Sequence, residues 1–128
     1  MRPVNAKAAA KTTRLDVLAL KGRSGRSYDF RIYVWNTRFK PLPGVYAILS
    51  RSIEPGEPAR YDTIYVDAAD DVSSVLNGHP RSDCFAMYYA NVIGVFKHPE
   101  PAGRQAIVDD LVAGLAPPCN GADADLAP

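Results

Sequence analysis

Two short apolar runs joined by a polar connection constrain the fold of this chain more than any other feature. Residues 44–49 read GVYAIL and residues 64–66 read IYV. Both runs are rich in β-branched and aromatic residues and are bounded by Gly, Pro and Asp, which predicts β-strands. The connection, residues 50–63, contains two Pro and one Gly and predicts a long hairpin loop. Tyr46 and Tyr65 are then expected on neighbouring strands, where side chains lie about 5 Å apart.

Further strands and helices are predicted from hydrophobic periodicity. Residues 28–34 alternate apolar and polar side chains, which predicts an amphipathic strand, and residues 90–96 predict another strand. Apolar residues at helical spacing, after an Asp that can cap the N-terminus, predict a helix of about two turns that starts near residue 72. Residues 102–115 predict the longest helix, ended by Gly114 and the prolines that follow. Residues 14–20 fit a short helix or a strand.

These elements predict an α+β fold with a small antiparallel sheet flanked by helices and an extra N-terminal strand. The 128 residues suit one domain. We expect a basic, partly flexible arm over residues 1–27, a folded domain over residues 28–120 and a disordered tail over residues 121–128.

Charge is distributed unevenly along the chain. Residues 1–40 carry ten Lys or Arg and two acidic side chains, a net charge of +8, whereas residues 41–128 carry five basic and twelve acidic side chains, a net charge of −7. The basic segment predicts phosphate contacts with nucleic acid, with aromatic neighbours for base stacking. An arm that is solvated, or that docks on the acidic body, fits the same charges. The candidate nucleic-acid-binding residues are Arg23, Arg26, Arg31, Arg38 and Lys40.

The remaining composition bears on the compartment of the protein. The sequence contains no run of about 18 apolar residues, so no membrane span is predicted. The N-terminus lacks the pattern of a secretory signal. The two cysteines, Cys84 and Cys119, are expected to be small buried hydrophobes rather than a disulfide framework. A reduced, cytoplasmic location is therefore the default expectation.

The GVY and IYV runs resemble the paired strand motifs of the GIY-YIG nucleases, over about residues 42–120. The resemblance implies a GIY-YIG-like fold, a phosphodiester substrate with DNA favoured, and one divalent metal, Mg²⁺ or Mn²⁺, in an active enzyme. It also implies site residues. Tyr46 and Tyr65 match the motif tyrosines, a proposed general base and a residue that orients water or phosphate. His79 matches a position near the scissile phosphate, and Asn120 matches the asparagine that holds the site together.

The chain departs from the family pattern at three positions. The position of the catalytic Arg is Val75, the position of the metal-binding Glu is Val108, and Asp67 replaces the glycine that follows the second tyrosine. Asp109 and Asp110 follow Val108 and are the candidate metal ligands, although each is rotated by about 100° or more around the helix. An Arg could come from elsewhere, for example Arg51 or Arg81.

Two functions follow from this pattern. One is a divergent GIY-YIG endonuclease with a rebuilt metal site, and the other is a non-catalytic module that binds nucleic acid or a protein on the same fold. The loss of both charged positions favours reduced or lost catalysis, because removing one charge-stabilising group costs about 10²- to 10³-fold in rate. Purely structural roles also fit: cross-strand packing for Tyr46 and Tyr65, and a helix-end cation for His79.

Overall fold

The computed structural model describes residues 14–121, so residues 1–13 of the predicted arm and residues 122–128 of the predicted tail lie outside the described part. Within residues 14–121, five strands and two helices of more than one turn form the fold. In chain order these are β1 (Asp16–Lys21), β2 (Ser27–Val34), β3 (Gly44–Ser52), β4 (Arg60–Ala69), α1 (Ser82–Met87), β5 (Val92–Lys97) and α2 (Pro101–Leu115).

All five strands belong to one antiparallel sheet with the order β1-β2-β5-β3-β4. The α+β class and the antiparallel sheet are thus confirmed. The extra N-terminal part of the sheet is a hairpin of β1 and β2, because residues 16–21 pair along their whole length with residues 27–32. The sheet therefore begins inside the stretch predicted as an arm.

One face of the sheet packs against α2, and we call it the helix face. Alternate residues of the strands point to this face and meet the apolar stripe of α2. The contacts bury Phe30, Ile32 and Leu49 completely, together with Leu111 of the helix. The helix face therefore holds one continuous apolar core, as the periodicity of residues 28–34 and 102–115 predicts.

The opposite face carries Tyr46, and we call it the tyrosine face. It is covered by the segment that follows β2, by a single 3₁₀ turn at Val72–Ser74, by α1 and by residues near Cys119. Its buried apolar side chains include Ile48, Phe85 and Ile93. Several short segments thus replace the single long helix of the other face.

A β-bulge at Ile64 sets which residues of β4 share the tyrosine face. Ile48 of β3 lies opposite Tyr65, whereas the next residue, Leu49, lies opposite Thr63, so Ile64 is the extra residue. Ile64 and Tyr65 both pack in the core of the tyrosine face as a result, although they are neighbours in sequence. A strictly alternating strand would have placed them on opposite faces.

The close approach of β3 and β5 requires a glycine at the start of the first motif. A Cβ atom added at Gly44 would lie 2.7 Å from the backbone oxygen of Phe96. Real Cβ atoms essentially never approach a backbone atom this closely, so the glycine of the GVY run has a packing role.

Several local predictions need correction. The hairpin strands extend beyond the motif runs, and their connection is only residues 53–59. The helix expected near residue 72 is the single 3₁₀ turn, although Asp71 does cap it by accepting from the Ser73 backbone N–H at 2.9 Å. Residues 82–87, for which the sequence pattern indicated no element, form α1, which packs Phe85 against the tyrosine face.

The expectation that the two cysteines are separate apolar residues is wrong. Cys84 and Cys119 form a disulfide that ties α1 to the segment after α2. Sequence spacing did not indicate this pairing, because 35 residues separate the two positions and only the fold brings them together. The expectation of a cytoplasmic location depends on reduced cysteines. The disulfide removes that support, so a cytoplasmic location stays a prediction. None of the helices within residues 14–121 is long and apolar enough to cross a membrane.

Candidate functional site

Four polar side chains converge on the tyrosine face, and we call them the tyrosine cluster: Tyr46 on β3, Tyr65 and Asp67 on β4, and His79 in the loop before α1. The hydroxyl of Tyr46 lies 2.8 Å from Nε2 of His79. The hydroxyl of Tyr65 donates to Oδ2 of Asp67 at 2.9 Å. The ring centroids of Tyr65 and His79 are 5.2 Å apart. The structure thus brings together three of the four predicted catalytic residues.

The backbone around His79 fixes the position of its proton. Nδ1 accepts a hydrogen bond from the Arg81 backbone N–H at 2.9 Å. A neutral imidazole then carries its proton on Nε2, and this N–H donates to the hydroxyl oxygen of Tyr46. The hydroxyl proton of Tyr46 is then not used in the hydrogen bond with His79.

Burial favours the neutral forms of Tyr46, Tyr65 and His79. Desolvation, together with the nearby Tyr65 and Asp67, raises the pKa of Tyr46 well above its ordinary value. Desolvation and the neighbouring carboxylate raise the pKa of Tyr65 to about 12. Desolvation lowers the pKa of His79. At neutral pH both tyrosines are protonated donors, and Tyr46 lacks the lowered pKa that a general base needs.

Arg81 is the cation beside this cluster. It contributes to the electrostatic environment of both Tyr65 and His79. Its guanidinium donates through Nη2 to the backbone oxygens of Cys119 and Gly121. Its Nε is buried without a hydrogen-bond partner in the described residues. Of the two arginines considered as replacements, Arg51 instead donates through Nε to the hydroxyl of Tyr61, which packs on the helix face.

Asn120 lies at the outer edge of β4. Its side-chain Oδ1 accepts from the Val66 backbone N–H at 2.8 Å, and its Nδ2 donates to the Val66 carbonyl at 2.9 Å. The adjacent Cys119 backbone N–H donates to the Ile64 carbonyl at 2.9 Å. Asn120 therefore holds the C-terminal segment against the strand that carries Tyr65, and both ends of its amide are occupied by backbone groups.

The positions of the expected metal site on α2 stay apart from the tyrosine cluster. Val108 is buried against the helix face. Asp110 accepts hydrogen bonds from Ser24 and Tyr28, and these bonds hold the pKa of its carboxyl below the ordinary value. Asp109 accepts from Gln105 on the surface of α2.

The sheet therefore separates both carboxylates from the motif tyrosines. Within residues 14–121 there is no group of three or more His, Cys, Asp or Glu side chains that could hold a metal ion. Val75, at the position of the catalytic arginine, packs on the tyrosine face.

Strand register aligns a predicted nucleic-acid contact with the tyrosine cluster. Arg31 of β2 lies opposite Val95 of β5, Val95 lies opposite Tyr46, and Tyr46 lies opposite Asp67. These four residues form one row across the sheet and point to the same face. Since neighbouring strands are about 4.8 Å apart, Arg31 and Tyr46 are about 10 Å apart across the row.

A groove of about 320 Å³ adjoins this row, with Arg31, Tyr33, Phe39 and Lys97 among its lining residues. Lys97 was not among the predicted contacts. Arg38 and Lys40 are exposed in the segment between β2 and β3.

The other two predicted contacts lie in the turn between β1 and β2. The backbone N–H of Arg23 donates to the backbone oxygen of Asp110 at 3.0 Å. The charge of Arg26 helps to lower the pKa of that same aspartate. This part of the predicted arm therefore docks on α2, as the self-docking alternative proposed.

Arg104, a buried cation on α2, was not among the predicted site residues. Its Nη2 donates to Oδ1 of Asp70 at 2.5 Å, and its Nη1 donates to the His98 carbonyl at 3.0 Å. Only 4% of the Arg104 side chain is exposed, whereas 93% of the Asp70 side chain is exposed. The only sequence signal was an arginine within the apolar stripe of a predicted helix.

Comparison with known proteins gives no match. No family model matches the sequence, and no curated protein or solved structure reaches significant similarity to the chain.

Proposed function

We propose that this domain binds nucleic acid on its tyrosine face and that the hydrolysis expected of a GIY-YIG nuclease is lost. The observation that carries the proposal is the row in which Arg31 and Tyr46 share one face of the sheet. Phosphate oxygens accept hydrogen bonds, and this face offers the cationic side chains of Arg31 and Lys97 as donors.

The chemistry of the site favours binding over cleavage. Phosphodiester hydrolysis needs a base that activates water and a metal or cation that offsets charge in the transition state. Burial raises the pKa of Tyr46, so its hydroxyl stays protonated at neutral pH. The positions of the family Arg and Glu are Val75 and Val108. Asp67 is then the one carboxylate of the tyrosine cluster, and it accepts from Tyr65.

The side chains of the groove next to this row support nucleic acid as the ligand. Arg31 and Lys97 can contact phosphates, while Tyr33 and Phe39, whose ring centroids are 5.1 Å apart, offer aromatic surface for stacking. DNA is the favoured ligand because the resembled family acts on DNA.

The test is fluorescence anisotropy with labelled single- and double-stranded DNA, and with RNA of the same sequence, over a series of salt concentrations. We expect binding that weakens as salt rises, and a slope of log K against log salt that falls by about 1 in magnitude for Arg31→Ala and for Lys97→Ala. Arg60→Ala is the matched control, because Arg60 is exposed at the far end of β4.

A cleavage assay with Mg²⁺ and with Mn²⁺ tests the second half of the proposal. We expect intact substrate under conditions where binding is complete. Cleavage that disappears in Tyr46→Phe would restore the endonuclease hypothesis, and binding that ignores salt would overturn the proposed function.

A further inference from the structure

A cavity on the tyrosine face lies next to the tyrosine cluster and has no role in the site described above. It has a volume of about 590 Å³, and we call it the Trp35 cavity. The residues of its lining that matter here are Trp35, Thr37, Arg38, Phe39, Asn77 and Ile93. The volume falls within the range of small-molecule pockets, roughly 300 to 1,000 Å³.

The lining combines aromatic rings with amide and cationic groups. Trp35 and Phe39 offer flat apolar surfaces, and Ile93 is completely buried. Asn77 carries both a donor and an acceptor, which suits the hydrogen-bonding edge of a nucleobase. Arg38 is exposed in the same lining, where it can contact a phosphate. A planar heteroaromatic ring with a phosphate attached satisfies all three kinds of group.

Thr37 supplies an independent sign that the cavity takes a polar ligand. Its Oγ1 is buried and has no hydrogen-bond partner among the residues described. Buried hydroxyls are normally satisfied, because an unmade hydrogen bond leaves the cost of desolvation uncompensated. Rotation about χ1 can turn this hydroxyl towards the cavity that the residue lines.

The cavity is also connected to the tyrosine cluster. The ring of Trp35 packs edge-on against Phe85 with centroids 6.3 Å apart, and the ring of Phe85 lies 4.8 Å from that of His79. One side chain thus separates the cavity from the cluster. Phe39 lines both this cavity and the groove with Arg31 and Lys97, so a nucleic acid strand bound in the groove can place a nearby base in the cavity.

We infer that the Trp35 cavity is a binding site for one unpaired nucleobase, with its phosphate at Arg38. This inference rests on the proposed function, because the base belongs to the strand bound at the tyrosine face. A free nucleotide has the same chemistry and is distinguished in the experiment.

The experiment uses the fluorescence of Trp35, the only tryptophan of the chain. The full-length protein is titrated with each deoxynucleoside monophosphate, with deoxyribose 5-phosphate, and with the oligonucleotides of the anisotropy assay. We expect saturable quenching by nucleotides and by single-stranded DNA, and none by the sugar phosphate without a base. Quenching by deoxyribose 5-phosphate, which carries no base, would overturn the base site.

Thr37→Val removes the unsatisfied hydroxyl and keeps the shape of the side chain. We expect the Kd for the nucleotide to rise about five-fold, the typical effect of one lost hydrogen bond. The thermal midpoint should not fall, because the substitution removes a buried group that lacks a partner. Thr63→Val is the matched control, since Thr63 is partly buried and lines a different cavity near Tyr88. An unchanged Kd in Thr37→Val, with a thermal midpoint that does not fall, would overturn the inference.

The two assays separate this inference from the proposed function. Oligonucleotide binding without any change in Trp35 fluorescence would overturn the base site and leave the proposed function standing. Saturable quenching by nucleotides without oligonucleotide binding would support the base site for free nucleotides and overturn the proposed function. No binding in either assay would overturn both.

Discussion

The helix face of the sheet is closed by one 15-residue helix, whereas the tyrosine face is closed by short segments, a disulfide and side-chain hydrogen bonds. On the helix face, apolar side chains from regular elements fill the contact, and stability comes mainly from burial. On the tyrosine face, polar and aromatic groups are held in place by contacts between residues distant in sequence. A face with fewer regular elements can expose grooves and donors, so the candidate site lies there.

The largest effect on stability is expected from a mutation that creates a cavity in the core of the helix face. Leu111 is completely buried in that core, and Leu111→Ala should lower the free energy of unfolding by about 2–5 kcal/mol. Urea denaturation measures the loss. Leu115→Ala is the control, because Leu115 only packs at the margin of the same core and should cost less. Equal losses would mean that the core is not concentrated around Leu111.

Removal of the disulfide should affect the tyrosine face selectively. Reduction with dithiothreitol, or the double change Cys84→Ala and Cys119→Ala, should cost about 2–4 kcal/mol and loosen the segment that contacts Ile64 and Val66. Hydrogen exchange of β4 amides reports the local loss, with α2 amides as the internal reference. The double variant should be insensitive to the reductant, and uniform deprotection of both faces would contradict a local role.

A third change tests the close contact between β3 and β5, two strands that carry side chains of both faces. Gly44→Ala should cost about 1–3 kcal/mol, because the added Cβ meets the Phe96 carbonyl and the strands must separate. Denaturant unfolding measures the change. Gly56→Ala, in the loop between β3 and β4, meets no neighbouring atom but has a positive φ of 79°, so it isolates the backbone cost without the clash. If the free energy of unfolding of Gly44→Ala equals that of the wild type, β3 and β5 tolerate a wider spacing.

The smallest effect concerns the pH dependence of the tyrosine face. Burial lowers the pKa of His79 in the folded protein from its ordinary 6.5, so the unfolded chain binds the proton more readily. Stability is then fully present above about pH 6.5 and falls as the pH drops through that value and below. Unfolding in urea from about pH 7 to about pH 5 should show this slope in wild type and a smaller slope in His79→Gln. His98→Gln, at the other histidine, should keep it.

The difference between the faces also explains what could be predicted from the sequence. Period-two alternation in residues 28–34 and helical spacing in residues 102–115 are local signals, and the structure confirms both elements. The motif runs indicated an antiparallel hairpin with Tyr46 and Tyr65 on paired strands, and the structure confirms this too. The resemblance to a nuclease family supplied His79 as a neighbour, which periodicity alone does not indicate.

The remaining features of the tyrosine face depend on contacts that no local pattern encodes. The Cys84–Cys119 disulfide and the bonds of Asn120 to Val66 join distant segments. The bulge at Ile64 interrupts the period on which strand assignment depends. The placement of Asp109 and Asp110 away from the tyrosines follows from the side of the sheet on which α2 packs, and the sequence pattern does not specify that side.

The bulge and Asn120 together have a consequence for self-association. β4 is the last strand of the sheet, and an edge strand with free N–H and carbonyl groups is a template on which a second molecule can pair. The bulge at Ile64 breaks the regular spacing of that edge, and the Asn120 amide occupies both backbone groups of Val66. The same contacts that anchor the C-terminal segment thus protect this edge from intermolecular strand pairing and aggregation.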